Sequence, residues 1–207
     1  MSRLCALILL ALVAPASALA APPSLRLEDL TWTELQAAIR SGDTTIIVPI
    51  GGTEQSGPAM ALGKHNVRAE ALALRIATAL GNALVAPVMA YVPEGDVNAA
   101  SGHLAFPGTI TMPDQAFETV VEYAARSFRL HGFRDIVLIG DHGGYQSDLK
   151  LVADRLNKEW AKTAVRVDFI PQYYDVTQNE FVSLLKSRGF SEAEIGTHAG
   201  QIGRAHV

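Results

Sequence analysis

The chain has 207 residues, a length expected of one domain, and hydrophobic residues make up 49% of it. That share is enough for a sizeable core and too large for a disordered protein. The formal net charge is -4 and the sequence has no run of basic residues, which argues against a nucleic-acid partner.

The first twenty residues have the pattern of a secretory signal. Arg3 gives a positive start, an apolar run follows over 4–13, and small residues at 18–20 suit cleavage before Ala21. The alternative, a membrane anchor, is disfavoured because the run is too short to cross a bilayer. We therefore expect a signal peptide over 1–20 and a periplasmic or secreted protein with no membrane association after cleavage.

Cysteine occurs once, at Cys5, inside this predicted signal. The mature protein would then have neither a disulfide nor a thiolate ligand. Any metal ion must therefore be held by histidine, aspartate or glutamate side chains.

Hydrophobic periodicity predicts helices that alternate with strands. Helices are predicted over 31–40, 67–80, 113–130, 147–162 and 178–188, and strands over 44–50, 84–92, 109–112, 135–139 and 165–170. This order predicts an α/β fold with a mostly parallel central sheet. Trp32 and Trp160 fit helix faces and are expected in the core.

Two polar loops that carry histidine, 51–66 and 140–145, follow predicted strands. Ligands bind at the carboxyl ends of the strands in open α/β sheets, so we expect the loops to meet at that edge. The Asp-His-Gly-Gly motif at 141–144 is the strongest local signal, because its glycines let the backbone turn and leave room beside the imidazole. The alternatives are an ordinary loop histidine at His142 and a solvated carboxylate at Glu54.

Four segments of the chain resemble motifs of the creatininase family and follow one another in the family's order. They are 50–58 with 62–66, then 103–109, 131–144 and 197–200. The resemblance extends over about 30–200 and implies a three-layer α/β/α fold. Together with the predicted signal peptide, it indicates a divergent, exported family member. It also implies a metal-dependent amidohydrolase that cleaves carbon–nitrogen bonds of a small cyclic or linear amide with a metal-activated water.

The residue-by-residue resemblance is partial. Glu54 and His142 match metal ligands of the family, whereas Ser56 stands where a ligand histidine is expected. His65 stands where an aspartate bridges two metals, and Gly144 offers no carboxylate. We therefore predict a single divalent ion, Zn²⁺ with Mn²⁺ or Fe²⁺ as alternatives, held by Glu54, His65 and His142.

Other residues are predicted to act around this ion. His198 resembles a catalytic histidine of the family and could pass a proton to the leaving nitrogen. Asp141 could orient an imidazole ligand, and Glu94 is a weaker candidate for an acid. The residues predicted to face the substrate are His103, Gly143 and Gly144.

Two further questions stay open in the sequence. A non-catalytic periplasmic protein that binds a small molecule or a metal on the same fold would also explain the altered ligands. The segment 202–207 resembles the translation of a sequencing adapter, which predicts a non-native tail after a domain, 21–201, that is incomplete at its carboxyl end. A genuine short terminus is the alternative. The expected partners are a small amide and, as in many family members, further copies of the chain.

Overall fold

The computed structural model describes residues 21–58 and 60–195. The helices are α1 (Trp32–Ser41), α2 (Lys64–Leu80), α3 (Asp114–His131), α4 (Gln146–Glu159), α5 (Pro171–Asp175), α6 (Phe181–Ser187) and α7 (Glu192–Ile195), and a π-helical segment, Val176–Glu180, joins α5 to α6. The strands are β1 (Thr45–Ile50), β2 (Ala83–Val85), β3 (Asp135–Gly140) and β4 (Arg166–Phe169). The predicted signal segment, His198 and the predicted tail lie outside the described residues. None of the described helices is both long and apolar enough to cross a membrane.

Four parallel strands form the sheet, in the order β2-β1-β3-β4. All six residues of β1 are buried, as expected of a parallel strand that is covered on both faces. The pairing of β1 with β3 starts with Thr45 opposite Asp135 and ends with Ile50 opposite Gly140. The two strands therefore end side by side, and the loops that follow them begin at the same edge of the sheet.

Helices cover both faces of this sheet. Ile46, Val48 and Ile50 of β1 share a core with buried residues of α1, α3 and α4. Ile47 packs instead with buried residues of α2 and α5, because successive side chains of a strand point to opposite faces. The prediction of a three-layer α/β/α fold is confirmed.

The amino end of α2 packs tightly against the loop that follows β1. The helix begins at Lys64, earlier than the predicted 67, and Asn66 in its first turn accepts a hydrogen bond from the Gly52 N–H at 2.9 Å. A Cβ atom at Gly51 would lie 2.8 Å from the Asn66 Cα atom, so only glycine allows this approach. The contact places Lys64 and His65 beside the loop.

The predicted strands over 84–92 and 109–112 are much shorter in the structure. Only Ala83–Val85 pairs continuously, and the rest makes isolated bridges such as Val92 with Thr111. Pro87 lacks the N–H that a sheet ladder needs, which accounts for the interruption. The segment 93–110, which follows, is attached outside the sheet through bonds such as Ile110 N–H to the Thr53 carbonyl at 2.9 Å.

The two tryptophans differ in burial. Trp160 is buried, as predicted, and the Arg129 guanidinium lies 4.7 Å from its ring centroid. The prediction for Trp32 is wrong, since its side chain is 74% exposed. Trp32 is the first residue of α1. The periodicity of apolar residues predicts which face of the helix is buried, but it does not predict that the amino end of that face has no neighbour among the described residues to cover it.

Candidate metal centre

A buried carboxylate, Glu54, lies at the shared edge of β1 and β3. Its Oε1 atom lies 2.9 Å from Lys64 Nζ and 2.8 Å from His65 Nε2. Its Oε2 atom accepts no hydrogen bond from the described residues and lies 3.3 Å from His103 Nδ1 and 3.4 Å from His142 Nε2. One oxygen of Glu54 thus faces protein donors, and the other faces two imidazoles.

Glu54, His103 and His142 form a group that could hold a metal ion. One potential ligand atom from each residue lies within 4.8 Å of the other two. One carboxylate and two imidazoles suit zinc and other divalent first-row metals. The predicted ligands Glu54 and His142 are therefore brought together, and His103, predicted to face the substrate, joins them.

Burial keeps the His142 imidazole in the form that a metal requires. Burial, the largest influence, lowers the pKa of His142 to about 4. The ring is therefore neutral at neutral pH, and only a neutral imidazole can bind a metal.

Glu94 brings a second carboxyl group into the centre. Its side chain is 1% exposed and its Oε2 atom lies 3.6 Å from His142 Nε2. Its Oε1 atom, like Oε2 of Glu54, accepts no hydrogen bond within the described part of the chain. Burial, followed by the charge of Glu54, raises the pKa of Glu94 to about 9. Glu94 therefore keeps its proton at neutral pH in the metal-free protein. A bound cation would favour the ionised form of Glu94 and would supply a partner for the two buried oxygens.

The electrostatics of Glu54 differ from those of Glu94. Burial by itself would raise the pKa of Glu54, but the hydrogen bond from His65 and the nearby Lys64 ammonium outweigh it, so that the pKa lies below its ordinary range. Glu54 is therefore ionised at neutral pH and is the stronger candidate for an anionic ligand.

His65, predicted as a metal ligand, is held between two carboxylates. Its Nδ1 atom lies 2.7 Å from Asp141 Oδ2 and its Nε2 atom 2.8 Å from Glu54 Oε1. Carboxylate oxygens only accept hydrogen bonds, so both contacts are satisfied together when each ring nitrogen carries a proton. The geometry favours His65 as a positioning residue for Glu54, and its role as a ligand stays a prediction.

Asp141 supports His65, not His142. Besides the His65 ring, its carboxylate accepts hydrogen bonds from Arg68 Nε at 2.9 Å and from the Tyr173 hydroxyl at 2.9 Å. Burial and the charge of Asp141 raise the pKa of Tyr173, so the hydroxyl remains a donor. Asp141 is fully buried and holds the His65 imidazole, one of the two histidines predicted as metal ligands; its orienting role toward a bound metal stays a prediction.

The glycines of the Asp-His-Gly-Gly motif leave space for neighbouring side chains. A Cβ atom at Gly143 would lie 2.7 Å from the Tyr174 hydroxyl, and one at Gly144 would lie 3.1 Å from the His142 ring. The Gly144 N–H also donates to His142 Nδ1 at 3.2 Å. The expected room beside the imidazole is present, and substrate contact by Gly143 and Gly144 stays a prediction.

Tyr145, for which the sequence gives no functional signal, links the ends of β1 and β3. Its hydroxyl can donate to the carbonyls of Ile50 at 2.8 Å and Gly51 at 2.6 Å. It accepts hydrogen bonds from the N–H groups of Asp141 at 3.0 Å and His142 at 3.1 Å. One buried hydroxyl therefore links the backbone segments that carry Glu54 and His142.

Lys64 is the other group that the sequence did not single out. Its ammonium donates to Glu54 and also contacts the hydroxyl of Ser56. Ser56 is buried and occupies the position at which the family motif has a ligand histidine. The spacing of these residues carries no metal-ligand pattern, so only the folded arrangement shows the contact.

Sequence comparisons connect the chain with one family. A profile of the family described as Creatininase: Creatinine amidohydrolase matches residues 28–206. The creatinine amidohydrolase of Pseudomonas putida is 30% identical over 124 residues, which are 60% of this chain and 46% of that protein. The mycofactocin precursor peptide peptidase of Mycolicibacterium smegmatis is 34% identical over 104 residues, 48% of this chain and 39% of that protein. The chain thus spans less than half the length of these relatives.

Solved structures give the same relationship. A crystal structure of creatinine amidohydrolase (creatininase) is 25% identical, has a TM-score of 0.68, and is matched over 84% of this chain and 68% of that chain. A mutant creatininase of the Zn-Zn type is 26% identical, has a TM-score of 0.67, and is matched over 83% of this chain and 67% of that chain. The part of the chain that the family profile matches, residues 28–206, includes the whole sheet and the edge that carries Glu54 and His142.

Proposed function

The chain belongs to the creatininase family, and on that premise we propose that it is a metal-dependent amidohydrolase that cleaves a carbon–nitrogen bond of a small cyclic or linear amide. The observation that carries the proposal is the group formed by Glu54, His103 and His142 at the carboxyl ends of β1 and β3. The names of the relatives, a creatinine amidohydrolase and a peptide peptidase, support the reaction class.

We propose that Glu54 Oε2, His103 and His142 hold one divalent ion and that Glu94 adds a second carboxylate. Zinc suits this ligand set, with Mn²⁺ or Fe²⁺ as alternatives. When bound, such an ion supplies Lewis acidity toward an amide carbonyl and a water molecule. Support for a cation beside these residues comes from Glu54 Oε2 and Glu94 Oε1, two buried oxygens that accept no hydrogen bond from the described residues.

Other residues of the chain position this group. The Tyr173 hydroxyl holds Asp141, Asp141 holds His65, and His65 holds Glu54 Oε1. This series of contacts fixes the direction in which Glu54 presents Oε2, since a carboxylate bonded at one oxygen cannot turn freely. We propose that His198 gives the proton to the leaving nitrogen, with Gly143 and Gly144 bordering the substrate.

We also propose that the protein works outside the cytoplasm after cleavage of residues 1–20, as the amino-terminal pattern indicates. Expression of the full chain in a bacterial host, followed by amino-terminal sequencing of the periplasmic fraction, should show a protein that starts at Ala21. Retention of Met1 on the mature protein would contradict this proposal.

The function is tested by metal content and hydrolysis. Elemental analysis of the purified protein should find one equivalent of a divalent metal, and a panel of amides that includes creatinine should contain a hydrolysed compound. His142→Ala should lose both the metal and the activity. His131→Ala is the matched control, because His131 lies in the last turn of α3, away from the centre, and should change neither.

A non-catalytic binding protein is the second candidate, and one observation favours it. Lys64 and His65 already satisfy one oxygen of Glu54 without a metal. The distinguishing result is a protein that retains a metal or a small ligand and hydrolyses no amide of the panel. A protein with neither metal nor hydrolysis would contradict the proposed enzyme.

A further inference from the structure

The two oxygens of the Glu54 carboxylate have different surroundings. Oε1 lies within hydrogen-bond distance of both Lys64 and His65, and each carboxylate oxygen offers about two lone-pair directions. Oε1 therefore has no direction left for another cation. Oε2, which accepts no hydrogen bond from the part of the chain described, remains available on the side of His103 and His142.

The Lys64 ammonium has a fixed place in the centre. Its partners Glu54 and Ser56 are both buried, and its own side chain is 17% exposed. Its backbone lies in the first turn of α2, which the bond between Asn66 and Gly52 holds against the loop that carries Glu54. Lys64 is therefore a positive charge that the fold holds beside the metal group.

The charges of the centre leave room for one ion. Arg68 pairs with Asp141, and Lys64 pairs with Glu54. Within the described residues, Glu94 has no lysine or arginine at ion-pair distance, and the basic group at that distance is the His142 imidazole. An ion held by Glu54 Oε2 would be separated from the Lys64 ammonium by the carboxylate, whereas a second ion at Oε1 would meet that ammonium directly.

We propose that Lys64 is a built-in cation of the metal centre, which takes the place of a second metal ion on the Oε1 side of Glu54. The inference rests on the proposed function. It has two consequences: the centre binds one ion, and the ammonium weakens the binding of that ion by repulsion. Coulomb repulsion between two like charges that share one carboxylate is appreciable in a buried site.

A purely structural role for Lys64 gives the opposite expectation. If the ammonium only orients Glu54, its removal should let the carboxylate move and weaken ion binding. If it acts as a built-in cation, its removal should strengthen ion binding. The direction of the change therefore distinguishes the two roles without any measurement of activity.

The experiment is Mn²⁺ binding to the purified protein, followed by the electron paramagnetic resonance signal of free Mn²⁺. Lys64→Gln removes the charge and keeps an N–H donor for Glu54. We expect one Mn²⁺ per chain in the wild type and binding that is about tenfold tighter, or more, in Lys64→Gln. Lys64→Arg keeps the charge and should bind like the wild type.

Lys150→Gln is the matched control. It changes the net charge by the same amount, but its ammonium is exposed and pairs with Asp154 within α4, so Mn²⁺ binding should not change. Circular dichroism checks that each variant is folded. If Lys64→Gln does not fold, Lys64→Met takes its place in the same measurement, and the stoichiometry of the wild type still tests the inference.

The outcomes separate this inference from the proposed function. Equal or weaker Mn²⁺ binding by a folded Lys64→Gln or Lys64→Met protein, with one ion bound by the wild type, would overturn the inference alone. Two Mn²⁺ ions per wild-type chain would also overturn it and would leave the hydrolase in place. A wild type that binds no divalent metal would refute the proposed function and this inference together.

Discussion

The Tyr145→Phe variant tests how far one hydroxyl holds the centre together. The phenyl ring would remain packed in the core, where the Tyr145 ring centroid lies 5.2 Å from that of Phe117, so the change opens no large cavity. What is lost is the acceptor for the N–H groups of Asp141 and His142 and the donor to the carbonyls at the end of β1. Asp141 N–H keeps a second acceptor, the Ile50 carbonyl at 2.9 Å.

The size of the effect follows from these contacts. A net hydrogen bond contributes about 1 kcal/mol, and a buried polar group left without a partner costs about 1–3 kcal/mol. With His142 N–H as the group most affected, the free energy of unfolding should fall by about 2–4 kcal/mol. That is a large part of the roughly 5–15 kcal/mol that stabilises an ordinary domain.

Urea unfolding of the metal-free protein measures this loss. Tyr123→Phe is the matched control, because Tyr123 is 65% exposed on α3 and its hydroxyl should contribute little. A loss below about 0.5 kcal/mol in Tyr145→Phe, equal to that of the control, would show that the hydroxyl does not tie the two strand ends together. Mn²⁺ binding should weaken in the same variant, since Glu54 and His142 would no longer be held in register.

Three further predictions concern pH, packing and metal. In the metal-free protein, burial raises the pKa of Glu94 to about 9, whereas the unfolded chain loses this proton near pH 4.5. The free energy of unfolding should therefore fall as the pH rises from 7 to 9. In urea unfolding, Glu94→Gln should reduce this dependence on pH, and Glu28→Gln, at an exposed glutamate, should leave it unchanged. Gly51→Ala should lower the melting temperature strongly, because its Cβ would meet the backbone of α2, whereas the Cβ of Gly63→Ala has ordinary contact distances and should change it little. Saturation with a divalent metal at about 100 times its dissociation constant should stabilise the protein by about 2.7 kcal/mol, and a chelator or Glu54→Gln should abolish that gain in thermal unfolding.

The sheet and its functional edge could be predicted because their signals are local. The apolar, β-branched runs of β1 and β3 indicate buried parallel strands, and glycine-containing loops follow both. The meeting of Glu54 and His142 then follows from the rule that parallel strands end at one edge, and it is confirmed by the 3.4 Å approach of their side chains. The strand predicted over 84–92 failed where Pro87 interrupts an otherwise suitable run.

The rest of the centre depends on contacts between segments distant in the chain. Glu94 and His103 approach Glu54 from the segment that follows β2, and the spacing of these residues in the sequence does not predict this contact. The place of His65 in a family motif predicts a ligand, but it does not predict that the two ring nitrogens lie beside Glu54 and Asp141. The orientation of the His65 ring depends on how α2 packs against the neighbouring loops, and a sequence motif carries no information about that packing.

The attachment of the segment 93–110 outside the sheet has a consequence for local unfolding. This segment carries Glu94 and His103. It is attached to the loop after β1 by hydrogen bonds such as Ile110 N–H to the Thr53 carbonyl, and the isolated bridge of Val92 with Thr111 joins its two ends. It can therefore open without separating β1 from β3, and opening would return the buried Glu94 carboxyl to water. Amide hydrogens of this segment should exchange by local opening, much faster than those of β1, and a bound metal should slow the exchange of this segment first.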